Sequence, residues 1–271
     1  MSFVVALAAW SLLAFGAVLF VVLMLAHEAG YVIGRRQAAR GATPGEGVGV
    51  VVGGMLGLLG FVLALTLSFS STRFNERREG ALAEANAIGT AWLRATAIGE
   101  PRGAEIARLL EQYTRLRIAF TEAPADVAAI DALNRQTNAM QTTIWGHVAA
   151  LVRERRDPIT ASLMAAVNDT FDMTTAQRYA FEIRLPPQVF WLLTGMALLG
   201  VGALGYQLGL RGNPVRMLVV LLTVVWTVLI VVILDLGAAR VGAVRTGTGI
   251  YEWTLQGFQG GVPIPPPPAA Q

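Results

Sequence analysis

Residues 63–79 read LALTLSFSSTRFNERRE. The first half suits the hydrocarbon of a bilayer. The second half carries Arg73, Glu76, Arg77, Arg78 and Glu79, with Glu84 just beyond. No glycine falls between Gly60 and Gly80, and no proline between Pro44 and Pro101. These two residues are the strongest interrupters of a helix. The stretch therefore predicts one helix that leaves lipid and enters a charged region without a break.

Working outward, four apolar stretches are long enough to span a bilayer, which takes about 20 residues. They run from about Phe3 to Ala26, Val48 to Ser71, Val189 to Leu210, and Arg216 to Leu234. The first is read as a span and not a signal peptide. It lacks a basic leader, its apolar run is too long, and Ala26-His27-Glu28 is a poor cleavage site. Between the second and third spans the pattern turns polar with a helical period. Ile106, Leu109, Leu110, Tyr113, Leu116 and Arg117 form one stripe, and Val127, Ile130, Leu133, Met140, Ile144 and Val148 another. Breaks at Gly99-Glu100-Pro101, Ala123-Pro124, Asp157-Pro158 and Pro186-Pro187 divide the region into helices over 73–98, 102–122, 126–156 and 159–184. Asp126 and Asp157 stand where N-caps belong. No strand pattern occurs. The expectation is an all-α polytopic membrane protein, with four transmembrane helices and a helical extramembrane domain inserted between spans two and three. Its parts are a first helix pair (1–72), the helical domain (73–187), a second pair (188–236) and a C-terminal segment (237–271). The run from Gly260 to Pro268 predicts a polyproline-like tail, either passive or a docking peptide for a proline-binding groove.

Composition agrees. Charged residues make up 14% of the chain, against about 25% in ordinary soluble domains. All 21 basic residues are arginine. The net charge of +3 is too small to suggest nucleic acid. The absence of cysteine excludes disulfides, thiolate metal sites and a cysteine nucleophile. His27 and His147 are isolated histidines and make a poor metal site. No G-x-S-x-G or H-E-x-x-H constellation occurs, so no enzyme, cofactor or metal is expected. Short loops between spans carry Arg35, Arg36, Arg40, Arg211 and Arg216. The domain flanks and C-terminal side carry Arg73, Arg77, Arg78, Arg178, Arg184, Arg240 and Arg245. Seven against five favours a cytoplasmic helical domain, with both termini on that side.

The second span opens on Gly45, Gly49, Gly53 and Gly57, an extended G-x-x-x-G ladder. In lipid, small residues let helix backbones approach closely, so the ladder predicts tight packing against another helix. Phe61, Leu65 and Phe69 continue at the same spacing, which drifts about 40° per step around a 3.6-residue helix. Thr66, Ser68, Ser70 and Thr72 lie among them, a hydroxyl density that suits a helix bordering water.

The motifs Leu59-Gly60-Phe61, Leu67-Ser68-Phe69, Arg73-Phe74-Asn75-Glu76-Arg77-Arg78-Glu79 and Ala85-Asn86-Ala87-Ile88-Gly89-Thr90-Ala91 resemble the bacterial bestrophin-like domain family. Asp235 followed by Gly242 is similar to that family's pattern after the last span, although its proline is missing here. The resemblance covers about residues 48–255. It implies an oligomer, a pentamer in bestrophins, in a bacterial inner membrane, around a central pore that passes small inorganic ions. Phe61, Leu65 and Phe69 then match an apolar pore neck, and Thr66, Ser68, Ser70 and Thr72 line the pore beside it. Arg73, Arg77 and Arg78 gather anions such as chloride at its mouth. The acidic calcium clasp of animal bestrophins has no counterpart, so calcium gating is not implied.

Alternatives stand beside these readings. Phe61, Leu65 and Phe69 are equally compatible with ordinary helix core. Asp235 is a membrane-edge carboxylate, either functional or an interfacial cap or ion partner of Arg240. Glu84, Asn86 and Thr90 line a vestibule or face solvent. For the whole protein, the alternative to a channel is a non-conducting adaptor or sensor that binds a partner through its helical domain.

Overall fold

The computed structural model describes residues 12–42, 45–99, 101–183 and 186–262. Residues 1–11, which hold the start of the first expected span, Arg184 and most of the proline-rich tail lie outside them. Among the described residues the fold is helical, without strands. The helices are α1 (Leu12–Ala39), α2 (Glu46–Ile98), α3 (Pro101–Glu122), α4 (Val127–Glu154), α5 (Pro158–Glu182), α6 (Pro187–Arg211), α7 (Arg216–Gly237) and α8 (Gly249–Gln259). Four stretches are long and apolar enough to cross a membrane: Leu12–Ala39, Gly47–Ile98, the Pro158–Arg211 stretch that ends in α6, and Arg216–Gly237.

The opening stretch is helical throughout. α2 has 53 residues, about 80 Å at 1.5 Å per residue, and Leu63–Glu79 lies in its interior. Helices α3, α4 and α5 begin where the sequence places them. Asp126 accepts a hydrogen bond from the Ala128 amide. Asp157 accepts from the Thr160 amide at 2.8 Å, with the Thr160 hydroxyl completing a capping box. α1 runs past its expected end at Ala26, through His27 and Glu28, to Ala39.

The chain divides into two compact units. The first holds α1, α2 up to Phe74, α6, α7 and the turn as far as Arg245. The second holds α2 from Asn75, α3, α4, α5 and α8. The stretch expected to be a separate C-terminal segment is thus shared between them.

The first unit is a helix bundle whose core draws on all four of its helices, through Leu19 and Leu23, Leu59 and Leu63, Ala197 and Val201, and Ile230 and Ile233. Its closest helix pair is α1 with α6, which run parallel. A methyl group added at Gly30 would collide with the Gly202 carbonyl oxygen. At Gly34 it would meet that of Tyr206, at Gly205 that of His27, and at Gly209 that of Tyr31. Both backbones therefore touch along a glycine seam.

Within the chain the glycine ladder makes no such backbone contact. At Gly45, Gly53 and Gly57 an added methyl meets nothing within 4 Å, and at Gly49 it meets only the side chains of Gln207 and Arg211. The reason is angular. Repeated steps of four accumulate about 40° each, so Gly49 and Gly57 end up about 80° apart around α2, and Gly45 precedes the helix. In α6 the steps of three and four at Gly202, Gly205 and Gly209 nearly cancel, and the glycines stay on one side.

The second unit is cored by Ala81, Ala85, Ile88, Ala91 and Ala95 of α2 against Ile106, Leu110, Ile144, Val148, Leu163 and Val167. Trp92 stacks on Phe258 of α8 with ring centroids 4.5 Å apart.

Candidate functional site

Seen from the first unit alone, α2 has a packed side and an open side. Leu59 and Leu63 are buried, and Leu56 and Leu59 approach Gly200 of α6. Phe61, Leu65 and Phe69 are 61%, 55% and 40% exposed. The reading of these three as core within the chain is overturned: they form a stripe that nothing in the unit covers.

The hydroxyls expected to line a pore divide between the two sides. Ser68 and Thr72 are exposed with the stripe. Thr66 and Ser70 are buried, and Thr66 Oγ1 donates to the Val62 carbonyl at 2.7 Å. A helix presents a new face every 100°, so alternate hydroxyls cannot all face one way. Thr66 and Ser70 are on the core side.

The arginines divide as well. The Arg73 guanidinium lies 4.9 Å from the centre of the Phe69 ring, a cation–π arrangement. Arg77 is buried in the second unit, contrary to its expected place at a pore mouth. Arg78 is exposed, as are Glu76 and Glu79. Gln177 of α5 donates to the Arg77 carbonyl at 3.0 Å. Gly80 leaves the space for that amide, since a side chain there would strike Gln177 Oε1.

Glu84 neither lines a vestibule nor faces solvent. It is fully buried at the centre of the second unit, while Asn86 and Thr90 are exposed. Glu84 Oε1 accepts from Arg117 Nε at 2.5 Å and from Thr174 Oγ1 at 2.7 Å. Its Oε2 accepts from the Tyr251 hydroxyl at 2.5 Å. With the single Thr174 proton aimed at the carboxylate, Tyr113 is the donor in its 2.6 Å contact with Thr174. Gln141 Nε2 in turn donates to Tyr113 Oη at 2.8 Å. One carboxylate thereby collects donors from α3, α5 and α8, and through Tyr113 from α4. Arg117 is 1% exposed and also lies 4.3 Å from the centre of the Phe120 ring. Burial would lower its guanidinium, but the Glu84 carboxylate, with Tyr113 and Tyr251, outweighs burial and raises it. Burial, reinforced by the Glu84 charge, pushes Tyr113 up to about 12 and Tyr251 further up. Both phenols therefore stay protonated donors.

Asp235 is buried at the end of α7 and serves as a turn cap. Its Oδ1 accepts from the Val244 amide at 3.2 Å and lies against Gly242. Gly242 has φ +104° and no room for a side chain beside that oxygen, so both its conformation and its space demand glycine.

Three features were missed by sequence reasoning: the α1–α6 seam, α8 and the Glu84 centre. Each left a mark. Gly30 and Gly34 are a four-residue pair. Tyr251, Leu255 and Phe258 have helical spacing. Arg117 stood on an apolar stripe, where a charge calls for a buried partner. Among the described residues no group of three or more acidic or histidine side chains is placed to hold a metal ion. Compared with protein-family models, curated proteins and solved structures, the chain matches none of them.

Proposed function

We propose that the protein is an oligomeric membrane channel that passes small inorganic ions through a pore lined by the open side of α2. The observation that carries this reading is the uncovered stripe Phe61, Leu65, Ser68, Phe69 and Thr72 on an unbroken 53-residue helix. Large apolar groups at one level of such a helix make a neck that gates by dewetting. Hydroxyls follow them and charged residues follow the hydroxyls, which is the order needed where a pore widens into water. A second copy of the chain is the partner that would turn the stripe inward, and the bestrophin resemblance favours five copies. In this reading the four apolar helices cross a bacterial inner membrane. An even number of crossings separates the N-terminus from the helical domain and the domain from the C-terminus, and all three lie on the cytoplasmic side.

The expectation of anions rested on Arg73, Arg77 and Arg78 facing the pore. With Arg77 buried, the helical period places Glu76 and Glu79 on the side of Leu65, two carboxylates against the one guanidinium of Arg73 beside Phe69. The favoured ion is therefore a small cation. Purified protein in liposomes tests both parts. The expected result is a passive flux, larger for potassium than for chloride, that Phe69→Ala changes. Flux carried mainly by chloride would reverse the assigned selectivity. Absence of flux at every salt, pH and voltage would favour the adaptor or sensor.

A further inference from the structure

We propose that the first unit holds an anionic phospholipid, one acyl chain lying in a groove between the start of α2 and the end of α6 and the headgroup phosphate resting on Arg211. The groove has a volume of about 320 Å³ and is lined by Gly47, Val48, Val51, Val52, Ala203 and Tyr206. No polar surface opens into it. A missing side chain adds to its width, since at Gly47 an added methyl meets nothing within 4 Å. Gly47, which serves no helix contact within the chain, here has a use as part of the thin wall of a channel for a hydrocarbon chain.

The occupant is identified by what stands at the groove's end. Val51 and Val52 lie deeper in α2 than Gly49, and Ala203 lies deeper in α6 than Arg211. Gly49 sits beside both Gln207 Nε2 and Arg211 Nη2. A chain leaving the groove toward the helix ends therefore meets an amide donor and a guanidinium. Arg35 stands at the same edge, its Nη1 close to Gly212. Among the described residues no carboxylate pairs with Arg35 or Arg211, while Glu28 is engaged by Arg216 at 3.5 Å. An apolar slot ending in an unpaired guanidinium fits a molecule with a hydrocarbon chain at one end and a negative charge at the other. Both groove walls belong to helices apolar enough to cross a membrane, where such molecules are the solvent. A free phosphate would satisfy Arg211 and leave the slot empty, and a zwitterionic lipid would fill the slot with less gain at Arg211.

The test uses the full-length protein in non-ionic detergent. It is offered palmitoyl-oleoyl phosphatidylglycerol or phosphatidylcholine with the same chains, and bound lipid is counted by native mass spectrometry. Phosphatidylglycerol is expected to be retained in preference. Arg211→Gln, an exposed substitution that leaves the fold alone, should lower its affinity about fivefold, the share of one arginine at a membrane surface, and leave phosphatidylcholine unchanged. Ala203→Phe fills the groove and should reduce retention of both lipids. Gly47→Leu does so from the opposite wall and replaces it if the first variant fails to fold. Excess inorganic phosphate should displace neither lipid. The proposal is overturned by equal retention of the two lipids, by a preference that survives Arg211→Gln, by undiminished retention when the groove is filled, or by displacement with phosphate.

Discussion

The two units of this protein are held together by opposite means. The first brings α1 and α6 into contact by omitting side chains, at Gly30, Gly34, Gly205 and Gly209. The second surrounds a charged side chain, Glu84, with donors from the helices about it. In the proposed reading, with the first unit in lipid and the second in water, the difference follows the solvent of each. Lipid offers little hydrophobic drive between helices, so backbone proximity and dispersion do the packing. A water-facing domain has the hydrophobic effect to assemble it, and can enclose an ion pair provided that every oxygen of the carboxylate is satisfied.

The largest effects should come from the charged centre. Glu84→Ala or Arg117→Ala leaves the other charge buried without its partner and is expected to cost about 3–5 kcal/mol. Replacing both with apolar residues, as in Glu84→Leu with Arg117→Met, should recover much of that loss, because what hurts is the orphaned charge and not the missing bond. Thermal unfolding followed by circular dichroism reads the comparison. A double variant as damaged as the sum of the singles would show that the two side chains are not coupled and that an orphaned charge is not the source of the loss.

The glycines come next. Gly205→Ala forces a methyl into the His27 backbone, and overpacking of this kind costs about 1–3 kcal/mol. Gly53→Ala, on the open side of α2, is expected to be neutral or to stabilise by up to about 1 kcal/mol through helix propensity. The pair of variants, compared by melting temperature in one detergent, sharpens the contrast between seam and ladder. Equal effects would return the ladder to the role the sequence suggested.

Smaller still is a dependence on pH. The folded chain keeps the Tyr113 proton to higher pH than the unfolded chain, whose phenol has its ordinary value near 10. This contribution to stability is complete below about pH 10 and is lost as pH rises toward about 12. Tyr251 acts in the same direction. Melting temperatures measured from pH 9 to 11 should fall more steeply in the parent than in Tyr113→Phe. Parallel curves would remove the phenol from the account.

The helices were largely legible because their signals are local. Asp126 and Asp157 announce starts, and Pro101 and Pro158 mark first turns. The uninterrupted run from Gly60 to Gly80 announced α2. What stayed hidden was which side of a helix finds a partner. Thr66 and Ser68 differ by two positions and face opposite ways, and only the placement of Leu59 and Leu63 against α6 decides between them. The Glu84 centre was hidden for a related reason: its partners stand 33, 90 and 167 residues away. A glutamate in a charge-dense stretch looks solvated until Arg117, Thr174 and Tyr251 are brought to it. α8 was overlooked because it is short and precedes a proline-rich tail.

The central claim is that the open side of α2 borders water. Since the chain has no native cysteine, single cysteines at positions 58–79 can be tested in vesicles for reaction with a membrane-impermeant thiol reagent. Cysteines at Phe61, Leu65, Ser68, Phe69 and Thr72 should react, and those at Leu59, Leu63, Thr66 and Ser70 should stay inert. Inertness of the first set, or reactivity that ignores the two sides, would contradict the account.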